Sequence, residues 1–219
     1  AAERHELSNA DPQVGDGRAF TTEPLRDFSR HDVRERFTKA VQAASVPAVA
    51  NDRTPEQASE MVARAEHAFP AWRDADPRKR AAVLTRAAQK MRERRDELSG
   101  VIIKENGKDW RIADGDVAEA IDFCEYYARQ SVALFDRHRL GRFIGELDET
   151  WYQPRGVAVV ISPWNFPLAI ACGMTSAALV TGNTVILKPA EQTPAIAKLC
   201  IDILKQSIEE EFEGEHADA

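Results

Sequence analysis

Apolar residues recur at helical spacing through the first two thirds of the chain. Val33, Phe37 and Val41 share one face and predict a helix from Asp32 to about Ala44. Ala58, Met61, Val62, Ala65 and Phe69 predict a second helix, ending near Pro70. Thr54 suits its N-cap, Pro55 its first position, and Gln57 completes a capping box. Asp76-Pro77 repeats the cap-plus-proline device ahead of Val83, Leu84, Ala87, Ala88 and Met91. Another helix covers Asp96 to Asn106, with Gly107 as its stop. Asp114 opens a further long one through Ile121, Phe123, Tyr127 and Leu134.

The pattern then changes. Phe143 to Leu147 and Glu149 to Gln153 read as two short, half-exposed strands forming a hairpin. Val157 to Ile161 is a continuous apolar run, the mark of a strand buried on both faces. Leu168 to Val180 is small and apolar, fit for a helix packed closely on a sheet. Gly182-Asn183 turns the chain into a second buried strand, Thr184 to Leu187, and a helix from Pro194 to about Ile208 follows. The fold class is α/β. A helical N-terminal part spans 31–140, a strand hairpin 141–155 and a partial βαβ unit 156–208.

Residues 1–30 are polar and aperiodic, with turn signals at Asn9 to Pro12 and Gly15 to Gly17, and read as a linker. Residues 209–219 read as a frayed acidic tail, because carboxylates oppose the dipole at a helix C-terminus. Two buried parallel strands do not make a stable sheet by themselves. The chain is therefore expected to associate, to need a partner polypeptide, or to fold only in part.

Charge and cysteine usage narrow the function classes. With 36 acidic against 29 basic residues the net charge is −7, which argues against nucleic acid as the main partner. The basic residues of the helical part, such as Arg78, Lys79 and Arg80, are interspersed with acids and read as a solvated face. Three cysteines without a CxxC pair fit reduced thiols and a cytoplasmic location. Pro163, Asn165 and Pro167 interrupt the longest apolar stretch, so no membrane span is expected. The first residues lack the apolar core of a signal peptide and an initiating Met. The chain thus reads as processed or as a piece of something longer.

Candidate chemistry lies at the ends of the two apolar strands, where an open α/β sheet binds ligands. Between Pro163 and Pro167 stands Asn165, whose rigidly held amide would suit an oxyanion hole or would serve only the turn backbone. After the second strand, Lys188 and Glu191 could face the same crevice and grip the hydroxyls of a ribose. They could equally form a surface ion pair. The usual GxGxxG dinucleotide fingerprint is absent.

Ser162-Pro163-Trp164-Asn165-Phe166-Pro167, then Thr181-Gly182-Asn183, then Leu187-Lys188-Pro189-Ala190-Glu191-Gln192-Thr193-Pro194 closely resemble the aldehyde dehydrogenase superfamily. The resemblance reaches back to about residue 54 through Phe69-Pro70-Ala71-Trp72 and Lys104-Glu105-Asn106-Gly107-Lys108. Glu23 to Ser29, Ala118 to Phe123, Phe143 to Glu146 and Trp151 to Gly156 are most similar to the Δ1-pyrroline-5-carboxylate (L-glutamate γ-semialdehyde) dehydrogenase branch, as fused within proline utilization A. The hairpin then corresponds to oligomerisation-type strands and the βαβ unit to the start of a Rossmann-like domain.

The resemblance implies an NAD-dependent enzyme oxidising L-glutamate γ-semialdehyde to glutamate in proline catabolism. Asn165 would donate to the oxyanion. Ile161, Ser162, Pro163 and Trp164 would line the nicotinamide cofactor, and Lys188, Ala190 and Glu191 would hold the adenosine ribose. The carboxylate of Glu191 favours NAD over NADP. Phe166 would stack on the aldehyde chain and Glu119 would meet its ammonium group. Expected partners are this small amino-acid aldehyde and either further copies or the remainder of a larger polypeptide. None of Cys124, Cys172 and Cys200 matches the family's nucleophile, and each reads as a buried structural thiol. The nucleophile and general-base Glu are expected downstream of this chain, which alone would be inactive or would serve as a non-catalytic nucleotide-binding or assembly module.

Overall fold

The computed structural model describes residues 20–50, 52–142 and 144–212. In α1 (His31–Ala43), Val33 and Phe37 turn inward as their spacing predicts. α2 (Pro55–Asp74) begins with a complete capping box: the Gln57 amide donates to Thr54 Oγ1 at 3.3 Å and the Thr54 amide to Gln57 Oε1 at 3.0 Å. The helix continues past Pro70 to Asp74, beyond its expected end. A proline inside a helix removes one hydrogen bond and crowds the carbonyl four residues back, but here side chains hold the last turn. Trp72 Nε1 donates to Leu179 O at 2.9 Å, and the buried Arg80 donates to the carbonyls of Arg73 (3.1 Å), Ala75 (2.5 Å) and Val180 (3.1 Å).

Asp76 caps α3 (Pro77–Glu93) by accepting from the Arg78 amide at 2.8 Å. α4 (Arg95–Asn106) stops at Gly107, whose φ of 79° is the left-handed turn that glycine takes readily. α5 (Trp110–Leu134) begins ahead of the expected Asp114, because Asp109 already caps it through the Ile112 amide at 2.9 Å. Asp114 instead lies inside the helix, paired with Arg95 by two hydrogen bonds of 2.8 Å.

That pair anchors the described part of the expected linker. Glu23 is buried, accepting from Arg92 Nε at 2.8 Å, while its amide donates to Asp122 Oδ1 at 2.6 Å. The Arg26 amide donates to Asp114 Oδ2 at 2.9 Å, and Arg95 donates to Pro24 O at 3.0 Å. Residues 20–30 are thus a strap fastened by buried charge, not a linker; residues 1–19 lie outside the described residues.

β1 (His138–Arg139) pairs antiparallel with β2 (Glu149–Thr150), in the register His138↔Thr150 and Arg139↔Glu149. The hairpin exists, but its first strand precedes the expected Phe143–Leu147 run. Gly145 there takes φ 91° and turns the chain, and Phe143 lies outside the described residues.

β3 (Val157–Ile161), α6 (Ala169–Val180) and β4 (Thr184–Lys188) form the βαβ unit, with the strands parallel and Val157 opposite Thr184. Only Val160 of β3 is buried. Val159 is 58% and Ile161 69% exposed, because among the described residues this sheet has two strands and no further layer covers them. Gly182 turns into β4 at φ 84°, where an added Cβ would sit 2.5 Å from Pro154 Cγ.

α7 (Pro194–Phe212) runs beyond Ile208, so residues 209–212 are helix and not frayed tail. Glu210 pairs with Lys90 (2.7 Å), Glu211 with Arg86 (2.8 Å), and Phe212 packs on Trp72. These contacts offset the unfavourable dipole; residues 213–219 lie outside the described residues. The core runs between α3, α4, α5, α6 and α7, through Leu84, Met91, Ile102, Ile121, Leu168 and Ile203, all fully buried. Each such side chain contributes about 1.5–3 kcal/mol relative to exposure.

Candidate functional site

The last residues of β3 and β4 build the site. Ile161 lies opposite Lys188, and the Ser162 amide donates to Lys188 O at 3.2 Å. The loops following both strands therefore leave the same sheet end, side by side. Ile161, Pro163, Trp164, Asn165, Phe166, Lys188 and Glu191 are exposed there, Ser162 is buried and Ala190 is half-buried. Among the described residues no hydrogen bond or ion pair engages the side chains of Asn165, Lys188 or Glu191. The surface ion pair open to Lys188 and Glu191 is not formed, and both are available to a ligand.

The end of α4, the turn after it and the first part of α5 hold both loops. Asn106 Nδ2 donates to Trp164 O at 2.7 Å. The Lys108 ammonium lies 4.1 Å from the Phe166 ring centroid and pairs with Asp116 Oδ2 at 2.8 Å. Asp116 Oδ1 accepts from the Ala169 amide at 2.7 Å, capping α6 from α5. Glu105 does the same for α7, taking the amides of Ala195 (2.7 Å) and Ile196 (3.0 Å). Thr193 closes the second loop by donating its amide to Ala190 O at 3.1 Å.

In the sequence, Glu105, Asn106 and Lys108 stand only as part of a resemblance, with no role assigned, and Asp116 is not singled out. Their signal in the sequence was a run of polar side chains beside a glycine helix stop, which pattern alone treats as surface.

Burial pushes the Asp116 carboxyl above the usual range, against the opposing pull of Lys108 and the Ala169 amide. Glu119, one turn further along α5, stands at the solvent side. Partial shelter raises its carboxyl too, with the charge of Asp116 adding and that of Lys108 opposing.

The three cysteines lie elsewhere. Cys124 of α5, Cys172 of α6 and Cys200 of α7 are fully buried, with Cys124 Sγ and Cys172 Sγ 3.5 Å apart. Hydrogen bonding to the Cys124 thiol and burial push Cys172 well above the usual thiol range. Hydrogen bonding to Cys172 and burial do the same for Cys200. A reactive thiolate needs the opposite surroundings. Among the described residues no helix is long and apolar enough to cross a membrane.

The chain is similar to known proteins along most of its length. The model of the aldehyde dehydrogenase family matches residues 30–211. 1-Pyrroline-5-carboxylate dehydrogenase 2 of Bacillus subtilis is 50% identical over 152 residues, which cover 69% of this chain and 30% of that protein. Among solved structures, proline utilization A from Bdellovibrio bacteriovorus superposes with a TM-score of 0.82 at 36% identity, over 86% of this chain and 23% of that one. The 1-pyrroline-5-carboxylate dehydrogenase from Thermus with bound NAD gives 0.80 at 30% identity, over 88% and 44%. The chain spans less than half the length of each.

Proposed function

We propose, from the premise that this chain belongs to the aldehyde dehydrogenase family, that it supplies the oxyanion donor and part of the cofactor crevice of an enzyme oxidising L-glutamate γ-semialdehyde to glutamate. The observation that carries this reading is the pairing of Ile161 with Lys188, which sets two ligand loops side by side beyond the carboxyl ends of parallel strands.

Asn165 is the oxyanion donor. When the aldehyde carbon is attacked, negative charge develops on its oxygen, and an amide already held in place stabilises that charge without reorganising. The Asn106 and Asp116 tethers on either side of Asn165 hold the backbone of its loop, and among the described residues its own side-chain amide is left unengaged for the oxyanion. Phe166 packs on the aliphatic part of the substrate, and the Glu119 carboxylate attracts its ammonium. The names of the similar dehydrogenases support this substrate class.

The exposed donors and acceptors at the strand ends fit a dinucleotide. The Lys188 ammonium and Glu191 carboxylate are free to take the two hydroxyls of a ribose. Ile161, Ser162, Pro163 and Trp164 line the nicotinamide end, with Ala190 beside the ribose. Glu191 repels a 2′-phosphate, so NAD is preferred over NADP. NAD, when bound, accepts the hydride. No thiol of this chain reaches the loop, so the nucleophile is not Cys124, Cys172 or Cys200.

The test pairs NAD calorimetry with NADH production from glutamate γ-semialdehyde, both on the purified chain. Binding without turnover is expected. Steady turnover abolished by replacing one of the three cysteines would contradict the assignment.

A further inference from the structure

Three tethers converge on the loop that bears Asn165, and two meet at one ammonium group. Lys108 Nζ is 2.8 Å from Asp116 Oδ2 and 4.1 Å from the centre of the Phe166 ring, and its side chain is only 9% exposed. A buried lysine with one carboxylate partner and one aromatic face is held in a single place. Asp116 is fully buried and spends its other oxygen on the Ala169 amide, at the foot of the same loop. Ring position and helix start are therefore coupled through one cation.

The charge of Lys108 also acts on the Glu119 carboxyl. The charged groups acting on that carboxyl are Asp116, one turn earlier on α5, and Lys108, from the turn that precedes α5. The two act in opposite directions.

We propose that Lys108 is a positioning residue, which fixes Phe166 and the start of α6 and thereby the backbone of the loop that bears Asn165. The inference rests on the reading above only in taking Asn165 to face the aldehyde. A cation–π contact engages the ring face, so the Phe166 ring should hold one conformation in the native chain.

The test is NMR on the full 219-residue chain, without ligand. It follows the Phe166 ring resonances, the Asn165 backbone amide and the Glu119 carboxyl titration. In Lys108→Met, which keeps the length and removes the charge, the Phe166 and Asn165 signals shift and broaden and the Glu119 midpoint rises. Lys108→Arg restores both. In Asp116→Asn the Glu119 midpoint falls instead, because a repelling charge has gone. A folded Lys108→Met chain with unmoved Phe166 and Glu119 signals overturns the proposal, and so does failure of Lys108→Arg to restore them. Should Lys108→Met not fold, Asp116→Asn decides: a lowered midpoint with a freed Phe166 ring supports the clamp, and unchanged signals refute it. Because no ligand is present, a clamp seen in a chain that binds neither NAD nor aldehyde would leave this inference standing and remove the proposed function.

Discussion

Glu105 spans two helices: it belongs to α4, yet its two carboxylate oxygens accept from the first amides of α7, those of Ala195 and Ile196. With Asn106 on Trp164 O and Asp116 on the Ala169 amide, one helical junction carries both loops of the candidate crevice. The helical half is thus the support of the site. Substitutions far from the strand ends should be felt there.

Loss of a ligand contact comes first. Glu191→Gln and Lys188→Ala each remove one charge-assisted hydrogen bond to a ribose, worth about 1.5–3 kcal/mol. Calorimetry should show NAD affinity lowered roughly 10- to 100-fold in each. Glu191→Gln should also narrow the gap between NAD and NADP, whereas Lys188→Ala should not.

Two glycines with the same backbone twist should separate strain from crowding. Gly107 and Gly182 have φ of 79° and 84°, but an added Cβ meets nothing within 4 Å at Gly107 and Pro154 Cγ at 2.5 Å at Gly182. Gly107→Ala should cost about 1 kcal/mol in urea denaturation, from the backbone alone. Gly182→Ala should cost about 1–3 kcal/mol more, from overpacking. Equal costs would show that Pro154 yields freely.

The buried Asp116 makes a prediction about pH. Burial raises its carboxyl above the usual carboxylate range, so the folded chain holds this proton more tightly than the unfolded one. Its contribution to stability is therefore greatest in acid and declines as pH rises through the carboxylate range. Asp116→Asn abolishes that decline. Its stability relative to the parent chain should climb from acid towards neutral pH, as chemical denaturation at several pH values can measure.

Thiol accessibility tests the cysteine assignment. All three thiols are fully buried, so a bulky thiol reagent should leave the native chain unlabelled and label three sites once urea unfolds it. Rapid labelling of one native cysteine would place a reactive thiolate where none is expected.

Much of the helical frame was legible because capping chemistry is local. Thr54-Pro55 and Asp76-Pro77 state their own function, and Gly107 marks its stop. The misjudged ends all have tertiary causes. α2 outlasts Pro70 because Trp72 and Arg80 hold its final turn, and α7 outlasts Ile208 because Lys90, Arg86 and Trp72 engage its acidic end. Asp109 outcompeted Asp114 as the cap of α5, since Asp114 is claimed by Arg95. The strap at Glu23 looked like linker because buried charge leaves no hydrophobic pattern. At the site, the loop motifs were visible in sequence, while their supports at Glu105, Asn106, Lys108 and Asp116 act across 53 to 91 residues of chain.

Chemical-shift mapping of the isotope-labelled chain titrated with NAD tests the central claim most directly. The account predicts perturbations concentrated at residues 161–166 and 188–191, with Glu191→Gln weakening them. Perturbations centred on the β1–β2 hairpin, or none at saturating NAD, would contradict it.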